Sequence, residues 1–354
     1  MPGRCRIRVE TIYRELNDAY FWFHPYLTAV PAAGGQPPAV ILLTQKHLNA
    51  DDHYSGSYVL RSDDLGRTWR GPAEIPALGW WRQGQLHVSV ASLVPNWHAP
   101  TGRVLAIGHS CLYDDGGRII DQAGATRVYY TVYDPAADAW TSLQALDEPA
   151  PGCHGAAAGC DQWLIESDGT VLLPVYVVDR PGESWYVTVW KCAFDGQRLA
   201  CTETGSRLAR PAGRGLHEPS LARLGGRYFL TIRSDDSAFV TAGDDGLHFE
   251  TLRPWTFDDG QPLGSYNTQQ HWASCGGDLF LVYTRRGAGN DHIFRHRAPL
   301  FIAAVDPERL AVRRASEQVL LPERGVPMGN FGVAAVTAFG SSTRRPLRTV
   351  SAEK

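Results

Sequence analysis

The sequence predicts an all-β chain that folds as a single β-propeller domain over residues 1–354. Three observations support this fold class. Short apolar strands recur about every 50 to 65 residues, which is a spacing typical of propeller blades. A hairpin-turn motif occurs in one full and one weaker copy. The composition includes 36 Gly, 23 Pro and 11 Trp, which suits many short strands joined by turns. We expect six blades, with seven as the alternative.

The recurring strands define the blades. Each is an apolar or aromatic run behind a turn, as buried strands are, and they cover residues 40–45, 104–109, 171–176, 228–233 and 279–284. Aligning the chain on them predicts blades at residues 20–75, 85–147, 155–210, 215–257 and 265–322. A sixth blade is expected from residues 328–354. It is incomplete from that tail alone, so residues 5–15 are predicted to close it as an outer strand.

The turn motif lies at residues 62–69 and reads Ser-x-Asp-x-Gly-x-Thr-Trp. Asp64 is expected to bond back to its own backbone, Gly66 to take a positive φ, and Trp69 to pack between sheets. A weaker copy at residues 242–249 keeps the same offsets at Asp244, Gly246 and Phe249. Such turns lie on the outer hairpins of blades, so they indicate the fold and not the function.

Composition excludes several functions. A net charge of −3 argues against a nucleic-acid or membrane-surface partner, and no apolar run is long enough to span a bilayer. The N-terminus lacks the apolar core of a signal peptide, so we expect a cytoplasmic monomer. The 7 cysteines form no CxxC pair. They predict reduced thiols rather than a disulfide framework or a metal site, although four are close in sequence: Cys153, Cys160, Cys192 and Cys201.

Polar residues stand where the strands of a propeller meet at one mouth of the central channel. Buried positions are normally apolar, so polar groups there are either paired or functional. The second strands of the blades end at Gln45, His109, Tyr176 and Arg233. The first strands begin near His24, His87, His217, Glu218 and His271.

Four of these residues are predicted to be catalytic. His87 and His109, on adjacent strands, suit general acid–base work because imidazole titrates near neutrality. Tyr176 can exchange a proton in a dry site, and Arg233 can hold a carboxylate. Structural roles remain open for each. The predicted substrate-binding residues are Gln45, Lys191, His217, Glu218, Gln270, His271, Trp272, Arg285 and Arg295.

The turn motif and the blade order resemble the sialidase superfamily of Asp-box propellers. That resemblance implies an Arg-Ile-Pro-like motif early in the chain, an arginine triad and a Tyr–Glu nucleophile pair. The first blade instead reads Phe23-His24-Pro25. This departure counts against the cleavage of sialic acid.

A closer resemblance, over most of residues 20–335, is to propellers that act on rhamnose–glucuronate linkages. This group includes α-L-rhamnosidases and L-rhamnosyl-α-1,4-glucuronate lyases. The matching stretches are residues 43–46, 96–98, 107–109, 267–272 and 292–300. Gln45 resembles the position at which the lyases carry Gln and the rhamnosidases carry His, although His47 and His53 are close to it. The resemblance therefore implies a lyase.

β-Elimination from a 4-linked uronate needs a neutralised carboxylate, a base at C5 and an acid for the leaving oxygen. Arg233 could neutralise, with Lys191 or Arg285 assisting, while His87 or His109 acts as the base and Tyr176 or the other histidine as the acid. No cofactor is required, although Ca²⁺ in the channel is compatible with this chemistry. The expected partner is an oligo- or polysaccharide that bears uronate.

Two other functions remain open. An exo-glycosidase, either an α-L-rhamnosidase or a sialidase-like enzyme, needs a carboxylate or the substrate's own assistance, and Glu218 is the natural candidate. A non-catalytic glycan-binding propeller is the third possibility, because the last blade is irregular.

Overall fold

The computed structural model describes residues 5–15, 17–32, 34, 36–48, 52–120, 126–147, 152–323, 327–335 and 347–353. Five antiparallel sheets of four or more strands follow one another along this part of the chain. The β-propeller fold is therefore confirmed, but it has five blades. The prediction of six, or alternatively seven, is wrong.

Blade 1 contains four strands in sequential order: β1 (Phe21–Val30), β2 (Ala39–His47), β3 (Tyr54–Ser62) and β4 (Arg70–Glu74). Blade 2 has the spatial order β10-β8-β7-β6-β5, with β9 paired to β8. Its strands are β5 (Trp81–Gln83), β6 (Leu86–His98), β7 (Arg103–Tyr113), β8 (Val128–Asp134), β9 (Ala139–Trp140) and β10 (Gln144–Ala145).

Blade 3 has an interrupted inner strand, since β11 and β12 both pair with β13. Its strands are β11 (Gly155–Ala157), β12 (Leu164–Ile165), β13 (Val171–Val178), β14 (Tyr186–Phe194) and β15 (Leu199–Thr204). Blade 4 runs in sequential order through β16 (His217–Leu224), β17 (Arg227–Arg233), β18 (Ala238–Gly243) and β19 (Arg253–Pro254).

Blade 5 contains β20 (His271–Cys275), β21 (Asp278–Tyr283), β22 (Leu300–Asp306), β23 (Ala311–Val312) and β24 (Gln318–Leu321). Short 3-10 helices occur at Pro76–Leu78, Phe294–His296 and Arg314–Ser316. In the described part of the chain, no helix combines the length and the apolar character needed to span a bilayer.

The five predicted second strands are confirmed as β2, β7, β13, β17 and β21. They are buried because neighbouring blades cover both faces of each, except that the segment around Phe331 and Ala334 and the N-terminal segment cover one face of blades 1 and 5. One shared core, for example, joins blades 2 and 3 through Leu105, Trp163 and Leu173, each no more than 3% exposed. Sheet-on-sheet packing of this kind fixes the blades around the channel.

The predicted sixth blade is a two-stranded sheet of β25 (Pro327–Ala335) and β26 (Leu347–Glu353). Phe331 packs against the ring of His271 from blade 5, at 5.1 Å between centroids, while Gly332 lies against the carbonyl of Pro25 from blade 1. The sheet thus lies between the first and last blades. Residues 336–346, within the predicted blade, fall outside the described residues.

The predicted closing strand at residues 5–15 does not form. The backbone of Cys5 instead exchanges two hydrogen bonds with the side-chain amide of Gln318 in β24, at 2.9 and 3.1 Å. A side chain thus satisfies the backbone of Cys5 in place of a neighbouring strand.

The turn motif between β3 and β4 forms as predicted. Asp64 accepts hydrogen bonds from the backbone of Arg67 and Thr68 at 3.0 and 2.9 Å, and Gly66 has φ 80°. In the weaker copy the accepting carboxylate is Asp245 rather than Asp244, with Leu247 N at 2.9 Å. The prediction placed this carboxylate one residue too early.

Candidate active site

One mouth of the channel is marked by the same backbone conformation in four blades. A non-glycine residue with a left-handed φ occurs where each inner strand passes the mouth: His24 (53°), Ser92 (56°), Cys160 (56°) and Glu218 (46°). Strand pairing skips residues at this point in blades 1, 2 and 4. Such bulges re-aim side chains, and their strain persists only where the surroundings hold it.

The second strands bring their predicted polar residues to this level. His109 pairs with Ala91, which directly precedes the kinked residue of its blade, and Arg233 likewise pairs with His217. Gln45 pairs with Phe23 in the same relation. These side chains therefore encircle one level of the channel.

Gln45 connects blades 1 and 2. Its Nε2 donates to the carbonyls of Ser55 (2.7 Å) and Val90 (2.9 Å), and its Oε1 accepts from the backbone N–H of Ser92 (3.0 Å). The same oxygen lies 3.1 Å from Nδ1 of His24. Because its hydrogen-bonding capacity is used within the protein, Gln45 is built into the wall of the channel.

His109 is arranged as a proton acceptor. Its Nδ1 lies 3.1 Å from the carbonyl oxygen of Ala158, and a carbonyl only accepts, so Nδ1 carries the proton and Nε2 keeps a lone pair. Burial lowers the pKa of His109. Its close packing requires Gly159, because a Cβ there would collide with the imidazole ring.

Tyr176 stands between two histidines. Its ring lies edge-on to His109 at 6.1 Å and 5.3 Å from His217. Burial, followed by the charges of Glu218 and Asp161, raises the pKa of Tyr176 well above its usual value. Burial lowers the pKa of His217 to about 3. At neutral pH the phenol is therefore protonated and the His217 imidazole is uncharged.

Glu218 and Arg233 form an ion pair at the mouth, with 2.9 Å between Glu218 Oε2 and Arg233 Nη1 and side chains only 15% and 10% exposed. The contact is electrostatic rather than an aligned hydrogen bond. Neither Glu218 Oε2 nor Arg233 Nε has a hydrogen-bond partner among the described residues. Buried charged atoms normally find such partners, so this pair has capacity for a further polar group.

Further arginines lie near this pair. Burial, then the charges of Arg233 and Arg295, lower the pKa of Arg297 to about 10. Arg214 is held by Asp235, with 2.6 Å between Arg214 Nη2 and Asp235 Oδ1, and it also feels the charge of Glu218. Arg214, Arg233 and Arg297 give this side of the mouth a positive character.

A second carboxyl lies beside the mouth. Asp161 follows the kinked residue Cys160 and is 1% exposed. No described group makes a well-formed hydrogen bond to either carboxyl oxygen. Burial raises the pKa of Asp161 well above its usual value, and the charge of Glu218 raises it further, while the backbone of Gly159 partly offsets this. The fold therefore favours the protonated form of Asp161, next to the ion-paired Glu218.

His87 and His109 do not come together. His87 pairs with Tyr113 in the strand ladder, four residues along β6 from the partner of His109, or roughly 13 Å. Its Nε2 lies 3.2 Å from Asp115 Oδ1 and 3.0 Å from a guanidinium nitrogen of Arg82. The predicted histidine pair is wrong, because the long inner strand carries His87 outward to the rim.

Three predicted cations are not paired with groups of the mouth. Lys191 lies on the outer side of blade 3, 3.5 Å from Glu203, and Arg285 makes a two-point ion pair with Glu317 at 2.8 and 2.7 Å. Arg295 is exposed and packs over the ring of Phe294 at 4.8 Å. Lys191 and Arg285 are thus engaged in structural pairs and do not assist Arg233.

Three predicted binding residues are interior. The indole N–H of Trp272 donates to the carbonyl of Ser220 (2.8 Å), and Nδ1 of His271 lies 3.0 Å from the Ser220 hydroxyl. Gln270 donates to the Ser265 hydroxyl at 3.1 Å. Trp272 is 3% exposed, so it cannot stack on a sugar. These polar groups stabilise the join between blades 4 and 5.

The described residues contain neither a cluster of metal ligands nor a disulfide bond. No group of three or more His, Cys, Asp or Glu side chains there could hold a metal ion. The cysteines in the described part of the chain form no disulfide bonds. Cys192 and Cys201 face each other across β14 and β15, with 3.7 Å between their sulfurs.

No protein-family model matches this sequence, and no curated protein matches it. Solved structures do match the fold. A Trypanosoma rangeli sialidase in complex with sialic acid has a TM-score of 0.59 and 13% identity, over 93% of this chain and 54% of that chain. The NanB sialidase of Streptococcus pneumoniae has a TM-score of 0.56 and 12% identity, over 92% and 64%. A GH43 β-1,3-galactosidase has 0.50 and 12%, over 80% and 92%.

At identities this low, the matches establish only that the chain shares the β-propeller fold of these proteins. It spans between 54% and 64% of the two sialidase chains. None of these three structures is a rhamnosidase or a rhamnosyl-glucuronate lyase by name. That finer resemblance remains a prediction.

Asp161, Arg214 and Arg297 belong to the mouth but were not predicted from the sequence. For two of them the sequence contained a feature that could have indicated a role in the site. Asp161 is an acid at the start of an inner strand, where apolar or neutral residues are expected, and Arg297 ends a basic stretch. Arg214 lies in a loop before β16, and the spacing of the strands does not reveal where that loop folds.

Proposed function

We propose that this protein is a glycosidase that acts on a glycan bearing an acidic sugar, with Glu218 as the carboxylate at the reacting centre. The observation that carries the proposal is the buried Glu218–Arg233 pair, in which a guanidinium N–H and a carboxylate oxygen lack aligned partners. A sugar carboxylate would satisfy the free N–H of Arg233. The neighbouring Arg297 would add favourable charge.

The other groups of the mouth suit this chemistry. Glycosidases generally use two carboxyl groups, one ionised and one protonated. Sialidase-like enzymes, as the resemblance implies, use a Tyr–Glu pair with an arginine triad. The charge of Glu218 acts on Tyr176, and three arginines (Arg214, Arg233 and Arg297) interact electrostatically with Glu218. The structural neighbours whose names describe sialidases and a galactosidase favour this function over the lyase.

The residue at the early arginine position argues for a substrate different from that of the sialidases. His24 stands there, and burial lowers its pKa to about 3, so it is neutral. A neutral imidazole holds a carboxylate less strongly than a guanidinium does. An acidic sugar would therefore depend on the arginines of blades 4 and 5.

The test is release of a monosaccharide from 3′-sialyllactose and from a rhamnosyl-glucuronate fragment of gum arabic. Wild type should release a sugar, and Glu218→Gln should be slower by at least about a hundredfold, because the carboxylate takes part in the bond-breaking step. Unchanged turnover in Glu218→Gln would remove this carboxylate from the mechanism. Binding of the glycans without any turnover would support the non-catalytic alternative.

The lyase is the second candidate because His109 and Tyr176 are in contact. A neutral imidazole with a free Nε2 suits a base, and a protonated phenol suits an acid for the leaving oxygen. Elimination creates an unsaturated uronate that absorbs in the near ultraviolet. With the gum arabic fragment, a rising absorbance that is lost in His109→Ala would favour the lyase, whereas released sugar without absorbance would exclude it.

A further inference from the structure

Trp80 presents an unusual surface beside the mouth. It is 38% exposed, which is rare for a large apolar side chain in the described part of this protein, yet its indole is held firmly. The indole N–H donates to the carbonyl of Tyr54 at 2.8 Å. The ring of Tyr113 stacks behind it at 5.8 Å and 23°. Folding has thus fixed one aromatic face and left part of it open to solvent.

Charged groups surround this ring. Arg82 donates to Asp115 at 2.5 Å, and His87 lies between them, with its own ring 5.8 Å from Trp80. The side chains of Arg82 and Asp115 are 58% and 75% exposed. On the inner side, His53 packs against the indole at 5.0 Å.

Packed side chains connect this surface to the mouth. The Tyr54 ring lies 4.4 Å from that of His24, and its hydroxyl donates to Asp52 at 2.8 Å. Asp52 in turn acts electrostatically on His109 and Arg297. A ligand that fills the mouth and extends towards blades 1 and 2 would therefore meet Trp80.

We infer that Trp80, with Arg82, His87 and Asp115, forms a binding platform for the sugar unit next to the one held in the channel. The face of a pyranose carries C–H groups that pack on the electron-rich face of an indole. Its hydroxyls meet donors and acceptors at the edge, here a guanidinium, an imidazole and a carboxylate. The inference rests on the proposed function, and it extends the substrate from a single acidic sugar to an oligosaccharide.

The experiment measures binding by calorimetry in a Glu218→Gln background, so that the glycans are not consumed. The probes are two pairs: N-acetylneuraminic acid with 3′-sialyllactose, and glucuronic acid with a gum arabic oligosaccharide that ends in glucuronate. In at least one pair the longer glycan should bind more tightly. Adding Trp80→Ala should weaken the longer glycan about tenfold and leave the monosaccharide unchanged. Trp80→Phe keeps a flat ring and should retain most of the gain.

The outcomes separate the platform from the function. If the acidic monosaccharide binds but length adds nothing, the platform is wrong and the proposed function stands. If the longer glycan binds through Trp80 while the acidic monosaccharide does not bind, the platform stands and the acid-binding channel is wrong. If neither glycan of either pair binds, both are overturned.

Discussion

The buried carboxyl of Asp161 makes the stability of this protein depend on pH in a defined direction. Burial raises the pKa of Asp161 well above its ordinary value of 3.8, so the folded protein keeps a proton that the unfolded chain releases. Asp161→Asn replaces the carboxyl with a neutral group of the same shape. The change should alter the slope of stability with pH, whatever it does to the absolute stability.

The magnitude follows from proton linkage. Below the unfolded pKa both states hold the proton, so stability is unaffected by pH. Above it, the folded state binds more protons than the unfolded state, so stability falls by about 1.4 kcal/mol per pH unit until the folded pKa is reached. The Asn variant has no carboxyl at this position, so its stability lacks this dependence on pH. The difference between variant and wild type should therefore move in favour of Asn by about 1.4 kcal/mol for each unit in that range.

Urea denaturation at pH steps from 4 to 8 measures this difference. Thr241→Val is a matched control, because Thr241 is fully buried and its hydroxyl donates to the carbonyl of Glu250, but it does not titrate. Its difference from wild type should be constant with pH. A flat curve for Asp161→Asn as well would mean that the carboxyl ionises normally in the fold, which would refute the argument from burial.

Three other changes test the site and its supports. Arg233→Met leaves the buried Glu218 carboxylate unpaired and should lower the free energy of unfolding by about 3–5 kcal/mol. The loss should be smaller when Glu218→Leu is added, and a double-mutant cycle in urea measures the difference. Burial lowers the pKa of His271 to about 3, so below pH 6.5 the unfolded state binds a proton that the folded state does not. Acid therefore lowers the free energy of unfolding by about 1.4 kcal/mol per pH unit through this group, and His271→Gln should remove that dependence. Gly159→Ala should cost about 1–3 kcal/mol in urea unfolding and slow turnover, while Gly226→Ala, where an added Cβ meets nothing within 4 Å, should do neither.

The parts of the fold that depend on local pattern were predictable. Apolar runs behind turns identified the second strand of every blade, and the Asp64 turn formed with the expected hydrogen bonds. The blade count was not predictable in this way. It depends on whether a short tail pairs with one strand or several, and the segment containing Phe331 pairs with a single strand.

The residues of the candidate site were likewise predictable only where local pattern determines their position. Register placed His109, Tyr176 and Arg233 at one level, since side chains at equivalent positions of equivalent strands face the same channel. It failed for His87, because the inner strand of blade 2 is 13 residues long and extends past the mouth. It failed for Arg285 because an ion-pair partner, Glu317, comes from a distant part of the chain.

The charges of the mouth are distributed unevenly, and this limits how a substrate can bind. Arg214 and Arg233 belong to blade 4, and Arg297 precedes the third strand of blade 5. On blades 1 to 3 burial favours the uncharged forms, since it lowers the pKa of His24 and His109 and raises that of Asp161. Asp52 adds a negative charge on this side. A sugar carboxylate in the mouth would therefore face blades 4 and 5, on the side of Glu218. The bond to the next sugar unit would then point towards blades 1 to 3, where proton transfer to a leaving oxygen is possible and where the Trp80 platform begins.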